Sequence, residues 1–225
     1  MPIVPTDKDY IDTELIKSGK RSLSPQFEEL ANWITDKYPG APVLNIYYDK
    51  IVYNSGFVTP RIIVIFERKE STKQFYISHH NFDADKQAAI AAKFREILLT
   101  RHIESFDTNN LIVVFSAFEP AARLKAIWSV TNEQIETLAA ELTNPAIWKI
   151  RTDWEGIAVF FHTDAQLAEL KDTGFKEDCY NAYAKILNAY DEFGYFAESP
   201  ATVIFDSKEN FERTYHGSWF NYDRR

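Results

Sequence analysis

Residues 24–35 read SPQFEELANWIT, and residues 132–143 read NEQIETLAAELT. Aligned without a gap, the two stretches carry the same residue at five positions, where glutamine, glutamate, leucine, alanine and threonine recur. In each stretch the apolar residues return every three or four positions, which is the spacing of an amphipathic helix. Ser24 and Asn132 are of residue types that favour the N-cap of a helix. The sequence therefore predicts two helices of the same kind, one in each half of the chain.

The correspondence continues beyond these helices. Each is followed by a predicted hairpin, a long helix, a strand and a short helix, in the same order. The runs that predict strands are RIIVIFER (61–68), NLIVVF (110–115), GIAVFFHT (156–163) and ATVIF (201–205). Asp83 and Thr173 are the expected N-caps of the two long helices. Because a helix separates each hairpin from the third strand, that strand can return parallel to a neighbour and give a mixed sheet.

We therefore predict an α+β fold with an internal repeat: two tandem α-β-β-α-β-α units whose helices pack on mixed sheets. The first unit spans 24–128, and the second spans 131–225 and ends in an aromatic tail. Residues 1–23 form an N-terminal extension, with a short helix near Asp9–Lys17. The connection SVTN (129–132) predicts a turn rather than a linker, so we expect the two halves to pack as one globule.

Composition narrows the classes of function. The 225 residues carry a net charge of −8 with a pI of about 5.2, which argues against nucleic acid as a partner. The seven glycines lie too far apart for a phosphate-binding loop, and no H-E-x-x-H or G-x-S-x-G motif occurs. The sequence shows neither a signal-peptide pattern nor an apolar run of membrane-spanning length. Since the one cysteine can form no internal disulfide, we expect a soluble cytoplasmic protein without a cofactor.

The segment SHHNFDAD (78–85) contains residue types that ligate divalent metals. On a strand, however, His79 and His80 would point to opposite faces. Asp83 is the expected helix N-cap, and Asp85 suits the positive end of the helix dipole. We therefore predict no metal site here.

The predicted helix over 174–193 carries more apolar surface than its counterpart in the first unit. One apolar stripe recurs at alternating spacings of four and three: Cys179, Tyr183, Ile186, Tyr190 and Phe193. We expect this extra face to pack against the other half or the C-terminal segment; an exposed surface for self-assembly is the alternative. Because Cys179 lies among apolar neighbours, its thiol is predicted to be inert.

The C-terminal segment FERTYHGSWFNYDRR (211–225) is rich in aromatic and arginine residues, the types that dominate protein-binding hot spots. On the hairpin WKIRTDWEG (148–156), parity predicts that Trp148 and Trp154 share a face and that Arg151 lies on the other. The candidate partner-binding residues are Trp154, Tyr215, His216, Trp219 and Tyr222. The alternative is that the tail docks its rings onto the core of the protein.

These observations predict a non-enzymatic binding or regulatory protein that engages a protein partner through an acidic surface with aromatic anchors. An inhibitor or immunity-type role fits this profile, and no catalytic residue is predicted. The alternative is a hydrolase-type enzyme with an Asp/Glu–His site in the cleft between the two halves. Its candidate histidines are His79, His162 and His216. A histidine beside a carboxylate in a deep pocket would favour that alternative.

Overall fold

The computed structural model describes residues 3–78, 81–170 and 173–224. Its contacts divide the chain into two compact units, Met1–Ala121 and Ala122–Arg225, and the division falls within one helix. The described residues form helices, two mixed three-stranded sheets and one two-stranded ribbon. The protein is therefore of the α+β class, as the sequence predicts.

The first unit contains one three-stranded sheet, the ribbon and the helices that cover them. In chain order its elements are α1 (Lys8–Lys17), α2 (Pro25–Lys37), β1 (Val43–Val52), β2 (Val58–Phe66), α3 (Lys69–Thr72), a 3-10 turn (Lys73–Phe75), β3 (Tyr76–Ser78), β4 (Asn81–Phe82), α4 (Ala84–Thr100), β5 (Ile112–Ala117) and the start of α5 (Phe118–Ser129). The strand order is β1-β2-β5, with β1 antiparallel and β5 parallel to β2. The parallel pairing follows because α4 lies between β2 and β5 and carries the chain back.

Both faces of the first sheet are covered. Ile62, Val64 and Phe66 of β2 join a core cluster with the buried sides of α2 and α4. Ile63 and Ile65 alternate with them and are also buried. A strand that is buried on both sides reads as a continuous apolar run, which is why RIIVIFER gives no alternating pattern.

The N-terminal segment covers the second face of this sheet. The short helix expected near Asp9–Lys17 is present as α1. The Asn45 side chain on β1 donates to the Thr13 hydroxyl at 2.9 Å, and the Ile3 N–H donates to the Ser116 hydroxyl on β5 at 3.3 Å. Because both hydrogen bonds are buried, the segment belongs to the packed part of the first unit.

The second unit has the same strand arrangement. After the remainder of α5, its elements are α6 (Asn132–Glu141), β6 (Ile147–Asp153), β7 (Gly156–Phe161), α7 (Asp164–Glu169), α8 (Phe175–Leu187), α9 (Tyr195–Glu198), β8 (Thr202–Ser207), α10 (Lys208–Tyr215) and α11 (Trp219–Tyr222). The order is β6-β7-β8, with β6 antiparallel and β8 parallel to β7. Strand order and directions thus agree in the two units; their origin as an internal repeat stays a prediction.

The central strand β7 is buried on both sides and separates two clusters. Ile157, Val159 and Phe161 pack with α6 and α8 in the main core of the unit. Ala158 and Phe160 lie in a smaller cluster with residues of α10 and α11. The C-terminal helices therefore occupy the second face of this sheet, as α1 occupies the second face of the first.

Helix N-caps agree with the prediction in part. Asp83 caps α4 as predicted, because its carboxylate accepts from the backbone amides two and three residues later. The N-cap of α6 is Thr131 rather than Asn132, since the threonine hydroxyl reaches the amide at the third helical position. The N-cap of α8 is Gly174 rather than Thr173. Its φ of +74° is one that glycine adopts without a steric penalty.

Helix α8 is shorter than predicted and ends at Leu187. Cys179 and Tyr183 lie in the core of the second unit itself. Tyr190 is half-buried, and its hydroxyl donates to the side chain of Gln134 at 3.0 Å. Self-assembly through Tyr183 and Tyr190 needs both rings at the surface, so the structure contradicts that alternative. Burial also raises the pKa of the Cys179 thiol to about 12, which agrees with an inert thiol.

Candidate functional site

The C-terminal helices dock their aromatic rings on the second sheet. Trp219 of α11 stacks on Trp148 of β6, with centroids 6.1 Å apart and ring planes 11° from parallel. The Trp219 ring also lies 4.0 Å from that of Phe211 on α10. Tyr222 is fully buried, with its ring 5.1 Å from Phe160. This docking is the alternative that the sequence leaves open for the tail, and it gives Tyr222 a packing role in this structure.

A β-bulge changes the facing of the hairpin residues. The register of β6 against β7 shifts next to Trp148, whose ring meets Phe160 edge-on. The Arg151 guanidinium lies on the same side, 4.5 Å from the Trp219 ring centroid. The prediction that Arg151 lies on the face opposite Trp148 and Trp154 is therefore wrong, because Arg151 meets the same Trp219 ring as Trp148 and lines one depression with Trp154. The reason is that a bulge inserts one residue, so parity counted across it fails.

Arg151 connects the hairpin to the C-terminal helix. Its Nη1 and Nη2 donate to the two carboxylate oxygens of Asp223 at 2.9 and 3.2 Å. The same guanidinium lies over the ring of Trp219. Bidentate pairing and stacking together fix the orientation of an arginine more firmly than either does alone. These contacts therefore define one orientation of the Arg151 guanidinium at the surface.

Two tryptophans beside this ion pair are more than half exposed. Trp154, at the turn of the β6–β7 hairpin, is 63% exposed, and Trp128, near the end of α5, is 51% exposed. They line a shallow depression of about 170 Å³. Its lining residues, called the tryptophan surface below, are Trp128, Arg151, Thr152, Asp153, Trp154 and Asp223. Large apolar rings grouped at a surface are candidates for a contact site, because their exposure to water is unfavourable.

The sequence predicts Trp154 as a binding residue but gives no such prediction for Trp128. On α5, Ala126 and Ile127 are buried in the core of the second unit. Trp128 follows them directly and is rotated by one helical position away from that core. The position of a bulky ring directly after the buried residues of α5 is the one sequence feature that indicates an exposed Trp128. Whether the ring is exposed depends on how α5 is rotated.

The other predicted residues lie around the docked tail. Tyr215 is half-buried and meets Tyr222 edge-on, with centroids 4.8 Å apart. His216 is exposed at the C-cap of α10, with φ of +53°. Trp219 is half-buried, and its ring packs against the Arg151 guanidinium. Of the predicted residues, Trp154 belongs to the tryptophan surface and Trp219 adjoins it through Arg151.

The acidity of the chain is concentrated in the second unit. This unit has 17 acidic and 11 basic residues, whereas the first has 16 and 14. Asp153 and Asp223 lie within the tryptophan surface, and the exposed Glu155 follows Trp154 in the turn. Because Arg151 is paired with Asp223, the net negative charge beside the two rings comes from Asp153 and Glu155, and it favours a cationic group.

A second exposed apolar group lies at the tip of the β1–β2 hairpin in the first unit. Its members are Val52, Tyr53, Phe57 and Val58. The Tyr53 and Phe57 rings are 6.0 Å apart. Residues 52–58 include no charged side chain, no tryptophan and no arginine. This tip offers apolar contact alone, without the charged partners present at the tryptophan surface.

The residues considered for metal binding or catalysis are described only in part. His79 and His80 lie outside the described residues, and His162 and His216 are exposed. Within 3–78, 81–170 and 173–224, no group of three His, Cys, Asp or Glu side chains is placed to hold a metal ion. In the same ranges, no helix combines the length and apolar character needed to cross a bilayer.

Comparison of the chain with models of protein families, with curated proteins and with solved structures finds no match.

Proposed function

We propose that this is a binding protein that holds a basic protein partner on the tryptophan surface. The observation that carries the proposal is the pair of exposed rings, Trp128 and Trp154, beside the Arg151–Asp223 ion pair. Tryptophan and arginine are enriched among residues whose truncation costs most binding energy. Their grouping on one surface supports a contact site more strongly than any single exposed ring does.

Charge selects the class of partner. The excess of acidic residues in the second unit attracts a partner of positive potential and speeds their encounter. A lysine or arginine of the partner can lie over the ring of Trp154 and pair with the neighbouring Glu155 carboxylate. If the partner is an enzyme, binding of this protein would cover the basic surface of that enzyme. Such binding corresponds to an inhibitor or immunity-type role.

The geometry of the surface favours tight binding. Trp154 stands at the turn between two paired strands, and Trp128 stands on a helix. Arg151 is held by both Asp223 and the ring of Trp219. Aromatic anchors on rigid elements lose little conformational entropy when a partner binds.

A capture experiment with matched variants tests the proposal. The wild type, Trp154→Ala and Phe57→Ala are immobilised, and proteins retained from the native host's lysate are identified by mass spectrometry. The affinity of each purified candidate is then measured by isothermal titration calorimetry at low and high salt. Phe57→Ala is the control, because it removes a similarly exposed aromatic ring from the hairpin tip of the first unit.

We expect one stoichiometric partner with a net positive charge. Trp154→Ala should bind it at least about 10-fold more weakly, Phe57→Ala should bind it as the wild type does, and added salt should weaken the complex. Equal binding by Trp154→Ala and the wild type would contradict the proposal. Loss of the complex in Phe57→Ala would also contradict it, because the partner would then bind the hairpin tip of the first unit. A dimer of this chain that Trp154→Ala abolishes would contradict it as well, because the surface would then bind a second copy of the chain.

A further inference from the structure

A cavity of about 560 Å³ lies in the first unit, where β5 ends and α5 begins. The described residues that line it come from the N-terminal segment, from α3 and the 3-10 turn after it, from β3, and from the end of β5 with the first turn of α5. All of them belong to the first unit. The volume is within the range of small-molecule sites, and this space is called the β5 cavity below.

Most of the wall of the β5 cavity is apolar. Phe115 and Ala117 on β5 and Pro120 on α5 are part of it. Ile77 on β3 also lines the cavity and leaves 71% of its surface in water. An exposed isoleucine beside apolar neighbours gives a hydrocarbon group area to cover, and the removal of that area from water is favourable. The wall therefore suits the apolar part of a ligand.

The charged side chains among the described lining residues are both cationic. They are Lys69 in α3 and Lys73 in the following 3-10 turn, four positions apart. Within the described part of the chain Lys69 has no ion pair, and Lys73 has an exposed one with Glu70, whose Oε1 is 3.8 Å from Nζ. An exposed pair of this kind contributes little. Glu67 and Glu119, close to the lining residues in sequence, are paired with other cations, so both ammonium groups can turn to an anionic ligand.

A buried hydroxyl in the same wall has an unused donor. Ser116 on β5 is only 4% exposed, and its Oγ accepts from the Ile3 N–H at 3.3 Å. A serine hydroxyl also has a hydrogen to donate, and within the described residues Ser116 Oγ donates to no acceptor. The half-buried Tyr76, which lines the cavity as well, has no acceptor for its hydroxyl in the same part of the chain. The cavity therefore presents hydrogen-bond donors that an acceptor group of a ligand would satisfy.

We propose that the β5 cavity binds a small amphipathic carboxylate. Its hydrocarbon part packs against Ile77 and the apolar wall, and its carboxylate accepts from the lysine ammonium groups and from the Ser116 hydroxyl. A carboxylate has acceptor oxygens and no donor, which matches the donors of this wall, and hydrogen bonds between ionised partners are the stronger kind. The proposal concerns the first unit alone and does not rest on the function proposed for the tryptophan surface.

Other classes of ligand match the β5 cavity less well. A cation would meet the like charges of Lys69 and Lys73, which repel it. A neutral hydrocarbon would cover the apolar wall but leave the buried donor of Ser116 without an acceptor. A small inorganic anion would engage the lysines and leave the apolar area in water. A ligand with both an anionic head and an apolar body uses all of these features.

The probe for the test is octanoate, and two controls each lack one of its parts. 1-Octanol keeps the chain without the charge, and acetate keeps the charge without the chain. Binding to the full protein is measured by isothermal titration calorimetry. NMR shifts of the Ile77 and Ala117 methyl groups, which belong to residues that line the cavity, report whether the ligand occupies it.

Two double variants with the same change of net charge complete the test. Lys69→Gln/Lys73→Gln removes both cations of the cavity from exposed positions. Lys20→Gln/Lys50→Gln is the matched control, because both residues are exposed in the same unit and neither is among the lining residues. Lys50 also has a loose ion pair, at 4.0 Å from Asp107, as Lys73 has with its own partner. Circular dichroism and the methyl spectrum without ligand check that both variants are folded.

We expect octanoate to bind the wild type at a single site and to shift both methyl resonances. 1-Octanol and acetate should each bind at least about 10-fold more weakly, since one lacks the charge-assisted hydrogen bonds and the other lacks the apolar contact. Lys69→Gln/Lys73→Gln should weaken octanoate binding at least about 10-fold, and Lys20→Gln/Lys50→Gln should bind as the wild type does. The proposal is overturned if octanoate does not bind, if 1-octanol binds equally well, if the two double variants bind octanoate equally, or if the methyl resonances do not respond.

Discussion

The five tryptophans of the chain have different surroundings. Trp33 is half-buried in the first unit, and Trp148 and Trp219 stack on each other in the second. Trp128 and Trp154 leave more than half of their surface in water. Three of the tryptophans therefore pack within the fold, whereas Trp128 and Trp154 leave their rings accessible at the surface.

The burial of Cys179 predicts slow alkylation. Burial, with a smaller effect from the charge of Asp178, raises the pKa of the thiol to about 12, and only the thiolate reacts. At pH 8 the folded protein should react with iodoacetamide at least about 100-fold more slowly than the protein in guanidinium chloride. Mass spectrometry of timed samples measures both rates, and similar rates would contradict the burial of this residue.

Asp9→Asn is expected to stabilise the protein at neutral pH. A carboxyl whose folded pKa is raised favours the folded state only while it is protonated. Its contribution is therefore lost as pH rises from the ordinary carboxyl pKa through the raised one. The asparagine variant should melt at a higher temperature than the wild type at pH 7, and the difference should shrink toward about pH 4. A wild type that melts higher at pH 7 would contradict the strained burial of Asp9.

At the scale of single residues, the sequence indicates which residue types could bind a partner. It is a poorer guide to where the fold places each of them. The exposure of Trp154 could be predicted, because a ring in a hairpin turn has little chance of burial. The face on which Trp148 lies could not be predicted, because the bulge beside it depends on the pairing of β6 with β7. Trp128 and Asp9 depend on how α5 and α1 are rotated against their sheets, and the local pattern of the chain does not specify that rotation.

The similar helices α2 and α6 should respond differently to loss of their caps. Thr131 and Gln134 form a capping box on α6. Ser24 is the N-cap of α2, but its buried Oγ has no hydrogen-bond partner in the described structure. Thr131→Ala should therefore cost about 1 kcal/mol of unfolding free energy, and Ser24→Ala only a few tenths. Urea unfolding followed by circular dichroism measures both, and equal losses would contradict the difference in capping.

Gly156 in β7 is required by a close approach of the backbone. A Cβ built at this position would lie 2.0 Å from the Thr202 carbonyl oxygen on β8. Gly156→Ala should therefore separate the parallel strands β7 and β8 and cost about 3 kcal/mol. The comparison is Gly194→Ala, where φ is +71° but no atom lies within 4 Å, so about 1 kcal/mol is expected. Denaturant titration gives both values, and a Gly156→Ala variant as stable as Gly194→Ala would contradict this account.

At the scale of elements, order is easier to predict than ends. Strand runs and apolar stripes are local, so the α+β class and the succession of hairpin, helix and strand follow from the sequence. The end of α8 at Leu187 does not, because the apolar residues beyond it continue the helical spacing while the chain turns. The sequence also predicts the α1 segment only as an extension, because the residues to which it is hydrogen-bonded, Asn45 and Ser116, lie far along the chain.

At the scale of the whole molecule, charge and aromatic surface coincide in the second unit. The excess of acidic residues is larger there than in the first unit, and the tryptophan surface belongs to the same unit. The association rate of the partner should therefore fall as ionic strength rises, because steering acts over distances that salt screens. Stopped-flow fluorescence at several salt concentrations measures this, and a rate independent of salt would argue against a basic partner.

The most direct test of the central claim uses the five tryptophans as reporters. The chain is labelled with 5-fluorotryptophan, its ¹⁹F resonances are assigned by single Trp→Phe variants, and the captured partner is titrated in. We predict that the resonances of Trp128 and Trp154 shift or broaden in proportion to the complex formed, while that of Trp33 in the first unit does not change. A complex that leaves Trp128 and Trp154 unchanged would contradict the assignment of the tryptophan surface as the partner-binding site.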